Sequence, residues 1–197
     1  MSASNIPGYT HGSAELKKSP VSMDDFAKLK QATLFSDDDV RYLKMSHDVL
    51  KGQTEQILDV WYGFVGSTPF LLHYFTNAAD GKPNMDYLGA VRKRFGQWIL
   101  DTANANYDQD WLNYQHEIGL RHHSTKKNRT DNVKAVPIIH VHYIFALLIP
   151  ITTTLRPFLE KGGHSRDDVD RMQDAWRKSV LMQVILWSQP YIKDGEF

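Results

Sequence analysis

The 197-residue sequence contains no cysteine. This absence excludes disulfide bonds, zinc sites built from thiolates, iron–sulfur clusters and the Cys-x-x-Cys-His motif that attaches c-type haem. Any cofactor of this chain is therefore held by other side chains, without a covalent bond to sulfur. A glycine-rich phosphate loop is also missing. The pair Gly162-Gly163 follows a helical pattern and precedes Ser165, an arrangement that fits a helix cap better.

The sequence also has no excess of charge of one sign, because 23 Lys and Arg residues balance 23 Asp and Glu residues. No net field therefore favours nucleic acid or an anionic membrane as a partner. The sequence begins Met-Ser-Ala-Ser-Asn, with neither the basic nor the apolar part of a secretory signal. The longest apolar run, Tyr143–Ile149, is much shorter than the ~18 residues of a membrane span. We expect one cytoplasmic domain with a substantial core.

Helical periodicity is present along most of the chain, without the alternation that is typical of strands. Residues 1–21 are the exception, since they carry Pro7, Gly8, Gly12 and Pro20 and show no period. They predict an extended arm, with disorder as the alternative. Eight helical segments follow: one capped by Ser22, one capped by Ser36, residues 53–66, a short one from Thr68, one from Asn84 to about Ala103, one from Asp108 to His123, Pro137–Glu160 with a kink at Pro150, and one from Ser165 to Pro190.

The stretch Tyr107–His123 carries the most informative histidines. At about 100° per residue, Trp111, Ile118 and His122 fall on one apolar stripe, whereas His123 is turned about 100° away from it. An imidazole on such a stripe is either a core histidine bonded to carbonyls or an axial ligand of a haem iron. Five tryptophans and 12% aromatic residues suit a cavity for a large flat ligand, but core packing explains them equally well.

Several uncommon strings distributed over nearly the whole chain bear on this choice. They are Ile6–Tyr9, Trp61–Gly66, Val91–Phe95, Trp98–Asp101 and Ile118–His123. The similar region ends near Trp187. Together they resemble the protoglobins, single-domain haem globins of archaea and some bacteria that are related to globin-coupled sensors. The resemblance implies an all-α globin fold of the three-over-three type with an extra N-terminal helix. It divides the chain into an extended arm over residues 1–21, packed over the haem, and a single globin domain over residues 22–197.

The resemblance also implies a site. His122 becomes the axial ligand of a non-covalent b-type haem, with His123 as the rival that points off the stripe. Tyr62 becomes the hydrogen-bond donor to a bound gas, and its alternative is a core tyrosine bonded to a backbone carbonyl. Trp61 and Phe95 become apolar walls, a role that ordinary packing would also give them.

Two further positions complete the expected site. Arg94 becomes a bidentate partner for a haem propionate, although a solvated arginine is the alternative without the resemblance. Leu147 departs from the family, which often has a phenylalanine there in the helix after Pro137. A smaller side chain leaves more room beside the haem, and Phe145 faces another direction. The family's ligand kinetics and narrow tunnels are therefore not carried over.

The implied function is reversible binding of O₂, CO or NO at a pentacoordinate iron. One alternative is enzymatic: NO dioxygenase activity with a separate reductase, peroxynitrite isomerisation, or weak peroxidase activity. Another is a gas sensor that signals through a partner, and composition alone allows a helical interaction module without haem. The family tends to dimerise through its last two long helices, so we expect a homodimer.

The sequence does not complete the motifs of other metal sites. His116-Glu117 begins like a zinc-protease helix, but Leu120 stands where the second histidine is required. His140 and His142 lie within the predicted Pro137–Glu160 helix, where they would point about 160° apart and could not share a metal.

Overall fold

The computed structural model describes residues 6–197, and regular structure within them is helical apart from an isolated bridge between Thr76 and Pro83. The described chain forms α1 (Met23–Ala32), α2 (Asp37–Leu50), α3 (Thr54–Gly66), α4 (Pro69–Leu72), α5 (Met85–Asn104), α6 (Gln109–His122), α7 (Val141–Ala146), α8 (Leu148–Leu159) and α9 (Arg166–Ser188). Short 3₁₀ segments follow at His73–Phe75, Glu160–Gly162 and Gln189–Tyr191. The first five residues of the predicted arm lie outside the described part.

Side-chain caps determine where most of the long helices begin. The side-chain oxygens of Ser22, Asn84, Asp108 and Ser165 each accept a hydrogen bond from the backbone N–H three residues on. Ahead of α2, the Asp39 carboxylate accepts from the backbone N–H of Ser36 at 2.7 Å. These bonds satisfy N–H groups that have no partner within a helix. The helix starts predicted at these caps are confirmed.

The predicted helix over Pro137–Glu160 is wrong in its start and in the position of its break. Helical structure begins at Val141, and the chain is interrupted at Leu147 rather than bent at Pro150. Pro150 has no N–H to donate to the carbonyl of Ala146, and its ring collides with that carbonyl, so the break falls one turn earlier. Before Val141, the backbone N–H of Ile139 donates to the carbonyl of His122 at 2.9 Å, which holds this segment against the end of α6.

The prediction that His140 and His142 point apart fails for the same reason. His140 precedes α7 as its N-cap and has an extended backbone, so the 100° rotation per residue does not apply to it. The two rings lie nearly parallel, 5.8 Å apart.

The segment Val141–Gly162 is long and apolar enough to cross a membrane by length and composition alone, and 22% of its most apolar window is buried. Core helices of soluble proteins have the same composition. In this fold the segment comprises α7, α8 and the 3₁₀ turn after them, and both helices pack on α9.

Helix α9 is central and packs against α2, α6, α7 and α8. Three tryptophans are buried at its contacts, two of them in α9 itself and one in α5, and each indole N–H has an acceptor. They are Trp98, which donates to Gln183 at 2.7 Å, Trp176, which donates to Ser46 at 2.8 Å, and Trp187, which donates to Gln115 at 2.8 Å. The core therefore buries large aromatic surfaces without leaving these donors unpaired.

The described part of the arm lies against the body of the domain as a series of turns. The carbonyl of Pro7 accepts from Arg94 at 2.9 Å, and the carbonyl of Gly8 accepts from Arg121 at 2.6 Å. The Tyr9 hydroxyl donates to a carboxylate of α5 at 2.7 Å. Gly8 has φ +75°, and a Cβ there would lie 2.7 Å from a guanidinium nitrogen of Arg94. Only glycine allows the arm to approach α5 so closely.

Candidate functional site

A cavity of about 230 Å³ is bounded by side chains from α3, α5, α6, α8 and α9 and from the segments between them. Apart from His122, its polar lining residues are Arg94, Arg121, Lys126, Asn128, Thr130 and Asp131, and the rest of its wall is aliphatic or aromatic. The six residues singled out in the sequence all lie on this wall: Trp61, Tyr62, Arg94, Phe95, His122 and Leu147. The fold thus brings together positions that are up to 86 residues apart in sequence.

His122 is the last residue of α6 and faces the cavity. Its Nδ1 lies 2.8 Å from the carbonyl oxygen of Ile118, one turn back. Because a carbonyl only accepts, Nδ1 carries the proton and Nε2 keeps its lone pair. Within residues 6–197, no side chain or backbone group forms a hydrogen bond with Nε2. Burial lowers the pKa of His122 below its usual value, although the Ile118 carbonyl opposes this, so the ring is neutral at pH 7.

The orientation of His122 is also set by stacking. Its ring lies on the indole of Trp187 in α9, with centroids 5.4 Å apart and planes 10° apart. A Cβ at Gly119 would lie 3.0 Å from the Trp187 carbonyl oxygen, so the missing side chain allows α6 and α9 to approach closely. The sequence marked Trp187 only as the end of the protoglobin resemblance, since periodicity does not show which residues meet across helices.

His123, the rival, is absent from the cavity wall described here. Its Nδ1 lies 2.7 Å from the hydroxyl of Thr125, and its ring packs edge-on against Tyr191 at 4.9 Å. The direction predicted from the helical stripe is therefore confirmed for both histidines.

Another part of the wall comes from α3 and α5. Trp61 and Phe95 meet edge to face with centroids 5.7 Å apart. Tyr62 lines the cavity, and none of the hydrogen bonds within the described residues involves its hydroxyl. The alternative of a tyrosine bonded to a backbone carbonyl is therefore not what this structure shows. Burial raises the pKa of Tyr62, which keeps its O–H protonated and able to donate.

Arg94 lies on the wall but already has a partner. Its Nη1 and Nη2 donate to the two carboxylate oxygens of Asp131 at 2.9 and 2.6 Å. Both side chains are nearly buried, with 11% and 13% of their surface exposed. The pair was not predictable, because Asp131 lies in a connection without periodicity. Nε–H and one N–H of Nη2 remain free of partners in the described part of the chain.

Two more cations line the cavity beside a buried carboxylate. Glu117, 4% exposed, accepts from Nε of Arg121 at 2.7 Å and from Nζ of Lys126 at 2.7 and 2.8 Å. Sequence reasoning missed this cluster, although the spacing of Glu117 and Arg121, four residues apart on a helix, is a signal for such a pair.

Leu147 lies at the break between α7 and α8 and faces the cavity. Phe145, two positions earlier, is 42% exposed and absent from the wall. It therefore does not replace the larger side chain that Leu147 lacks, as predicted.

The family model of the protoglobins matches residues 22–197. The chain belongs to the protoglobin family. Among solved structures, it is similar to the globin domain of the Geobacter sulfurreducens globin-coupled sensor, with a TM-score of 0.66 and 14% identity over 88% of this chain and 99% of that chain. At this identity the likeness shows the globin fold alone. No curated protein matches the chain.

Membership in the protoglobin family implies a haem cofactor and diatomic gases as ligands. The residues of the cavity fit a haem, because an iron already held by a porphyrin needs from the protein one imidazole with a free nitrogen in an apolar space. A bare metal ion needs several donors, and residues 6–197 hold no cluster of three or more His, Cys, Asp or Glu side chains that could bind one.

Proposed function

We propose that this protoglobin reversibly binds O₂, CO or NO at the pentacoordinate iron of a non-covalent b-type haem held by His122. The observation that carries the proposal is the His122 imidazole, with Nδ1–H committed to the Ile118 carbonyl and Nε2 free in an apolar cavity. When bound, the haem supplies an iron with one position open to a diatomic gas.

The protein's own part is to hold and orient the ring. The Ile118 carbonyl fixes which nitrogen is free, and stacking on Trp187 fixes the plane of the imidazole. A hydrogen bond at the second nitrogen also raises the basicity of a ligating histidine. The neutral ring that burial favours is the form that can donate its lone pair.

On the remaining wall, Tyr62 offers a neutral O–H with no competing partner among the described residues, so we assign it as the donor to the gas. Trp61 and Phe95 exclude water and shape access. Leu147 leaves space beside them. Arg94 is the propionate partner in this proposal, through the N–H groups that Asp131 and Pro7 leave unused.

The test is haem retention by two variants. His122→Ala should abolish stoichiometric haem binding, and free imidazole, which can enter the vacated space, should restore it. His123→Ala is the matched control and should retain haem, because His123 bonds to Thr125 and is absent from the described wall. Full haem content in His122→Ala without added imidazole would reject the ligand assignment.

We further propose that the protein forms a homodimer through α7–α8 and α9. Apolar side chains on these helices remain uncovered, with Phe145 42%, Ile149 63% and Leu181 37% exposed. Ile149→Glu should convert the dimer to a monomer in light scattering after size exclusion. Met85→Glu is the control, since Met85 is 72% exposed at the start of α5, which is not one of the helices of this face. A wild-type monomer at micromolar concentration would contradict the proposal.

A further inference from the structure

Five tyrosines line the cavity, and their hydroxyl groups differ in what they contact. These residues are Tyr62, Tyr74, Tyr87, Tyr114 and Tyr143. Among these five, and within the described residues, only Tyr74 has its hydroxyl hydrogen-bonded to a base: its Oη lies 2.6 Å from Nδ1 of His140. A phenol loses an electron far more readily when its proton can move to a base at hydrogen-bond distance at the same time. The same wall therefore holds one tyrosine equipped for this chemistry and four that are not.

The Tyr74–His140 pair connects the cavity to the protein surface. Tyr74 is itself 5% exposed and forms part of the cavity wall, whereas His140 is exposed. When His140 carries its proton on Nε2, the Tyr74 hydroxyl donates to Nδ1, and Nδ1 can take up that proton. His140 also lies against a second exposed ring, that of His142, with centroids 5.8 Å apart. The Tyr74 side chain therefore links the cavity wall to an exposed pair of histidines.

The position of the pair is fixed by the fold. The backbone carbonyl of Tyr74 accepts from Nζ of the buried Lys127 at 3.1 Å, and Tyr143 packs edge-on against the Tyr74 ring at 6.1 Å. His140 precedes α7 as its N-cap. Burial raises the pKa of Tyr74, so the group is a phenol at neutral pH and must lose its proton when it is oxidised.

We propose that Tyr74 is a redox-active tyrosine that passes electrons from small reductants at the surface to the haem cavity, with His140 as its proton acceptor. The proposal rests on the proposed function, because the oxidant is bound haem that hydrogen peroxide has oxidised. In the first step one electron leaves Tyr74 for that haem, the Oη–H bond breaks, and the proton moves to Nδ1 of His140. The products are a neutral tyrosyl radical and an imidazolium.

The second step restores the pair. A one-electron reductant of the phenol or ascorbate class, docked at the exposed His140 and His142 rings, returns an electron to Tyr74, and the proton returns from Nδ1 to Oη. Two such cycles supply the two electrons that one hydrogen peroxide consumes when it is reduced to water. The structure thus assigns a substrate-oxidation site on the surface, separate from the position where the gas binds.

The experiment maps the radical in the haem-loaded protein. Ferric protein is mixed with hydrogen peroxide in the presence of a nitroso spin trap, and the adduct is located by peptide mass spectrometry, with freeze-quench electron paramagnetic resonance on the same samples. We expect a tyrosyl signal and an adduct on Tyr74. Tyr74→Phe should lose both, and His140→Asn, which retains an acceptor and a good helix cap but no base, should strongly reduce both.

Tyr143→Phe is the matched control, because Tyr143 lines the same cavity but has no base at its hydroxyl in the described structure. It should leave the Tyr74 adduct unchanged. A haem-containing protein that shows its adduct elsewhere, or an undiminished adduct in His140→Asn, would overturn this inference alone. A purified protein that binds no haem would overturn the proposed function and this inference together.

Discussion

Substitution of Tyr62 by phenylalanine tests the gas-binding wall most cleanly. The change removes one oxygen atom and keeps the ring. Because no hydrogen bond within residues 6–197 involves this hydroxyl, the variant breaks no hydrogen bond of the described protein. Any change in gas affinity then reports the contact between Tyr62 and the gas, rather than a rearrangement of the core around an unpaired polar group.

The size of the effect follows from the kind of hydrogen bond that is lost. Dioxygen at a haem iron takes on partial negative charge, and a hydrogen bond to a charged group contributes about 1.5–3 kcal/mol. Since each 1.4 kcal/mol is a factor of about ten, the O₂ dissociation rate should rise about ten- to a hundredfold in Tyr62→Phe. Carbon monoxide gains little charge, so its dissociation rate should change much less. The raised pKa of Tyr62 makes the wild-type rate insensitive to mildly alkaline pH, because the donor stays protonated.

The assay is stopped-flow displacement of O₂ by CO, with Tyr87→Phe as the control. Tyr87 is 7% exposed and lines the same cavity from α5, so its substitution has the same chemistry at another place on the wall. The control should retain the wild-type rate. Equal O₂ dissociation rates in wild type and Tyr62→Phe would refute the assignment of Tyr62 as the donor.

Two stability predictions follow from other contacts. Burial lowers the pKa of Lys127 from 10.5 to about 8. Between these pH values the unfolded chain binds a proton that the folded chain does not. The free energy of unfolding should therefore rise with pH across that window, by up to about 3 kcal/mol. Lys127→Met should flatten this rise in urea titrations at pH 8 and pH 10, and an unchanged slope would contradict the lowered pKa. Gly119→Ala places a methyl group 3.0 Å from the Trp187 carbonyl and should lower the free energy of unfolding by about 1–3 kcal/mol. Gly89→Ala, with open space at that position, should not destabilise the protein.

The helix starts and the His122 stripe were predictable because both are local. A cap such as Asp108 acts on an amide three residues on, and a stripe follows from a fixed rotation per residue. The helix break was predicted at Pro150 but lies at Leu147, because a proline removes the hydrogen bond to the carbonyl four residues earlier. The start of this helix was also predicted too early, which placed His140 on a helix and concealed its contact with His142.

Contacts between distant segments account for what the sequence did not reveal at the site. Arg94 was recognised, but not its pairing with Asp131, which depends on where the connection after α6 folds back. The stack of His122 on Trp187 depends on the close approach of α6 and α9 at Gly119. Tyr74 carries no local signal at all, since its partner His140 lies 66 residues away.

An open haem on the His122 imidazole would be visible in the absorption spectrum of the protein. The purified protein is reduced with dithionite and then exposed to CO. We expect a Soret band that sharpens and shifts to that of a low-spin carbonyl complex, and the loss of this band in His122→Ala. No Soret band in the wild-type protein, even after hemin is added, would contradict this expectation.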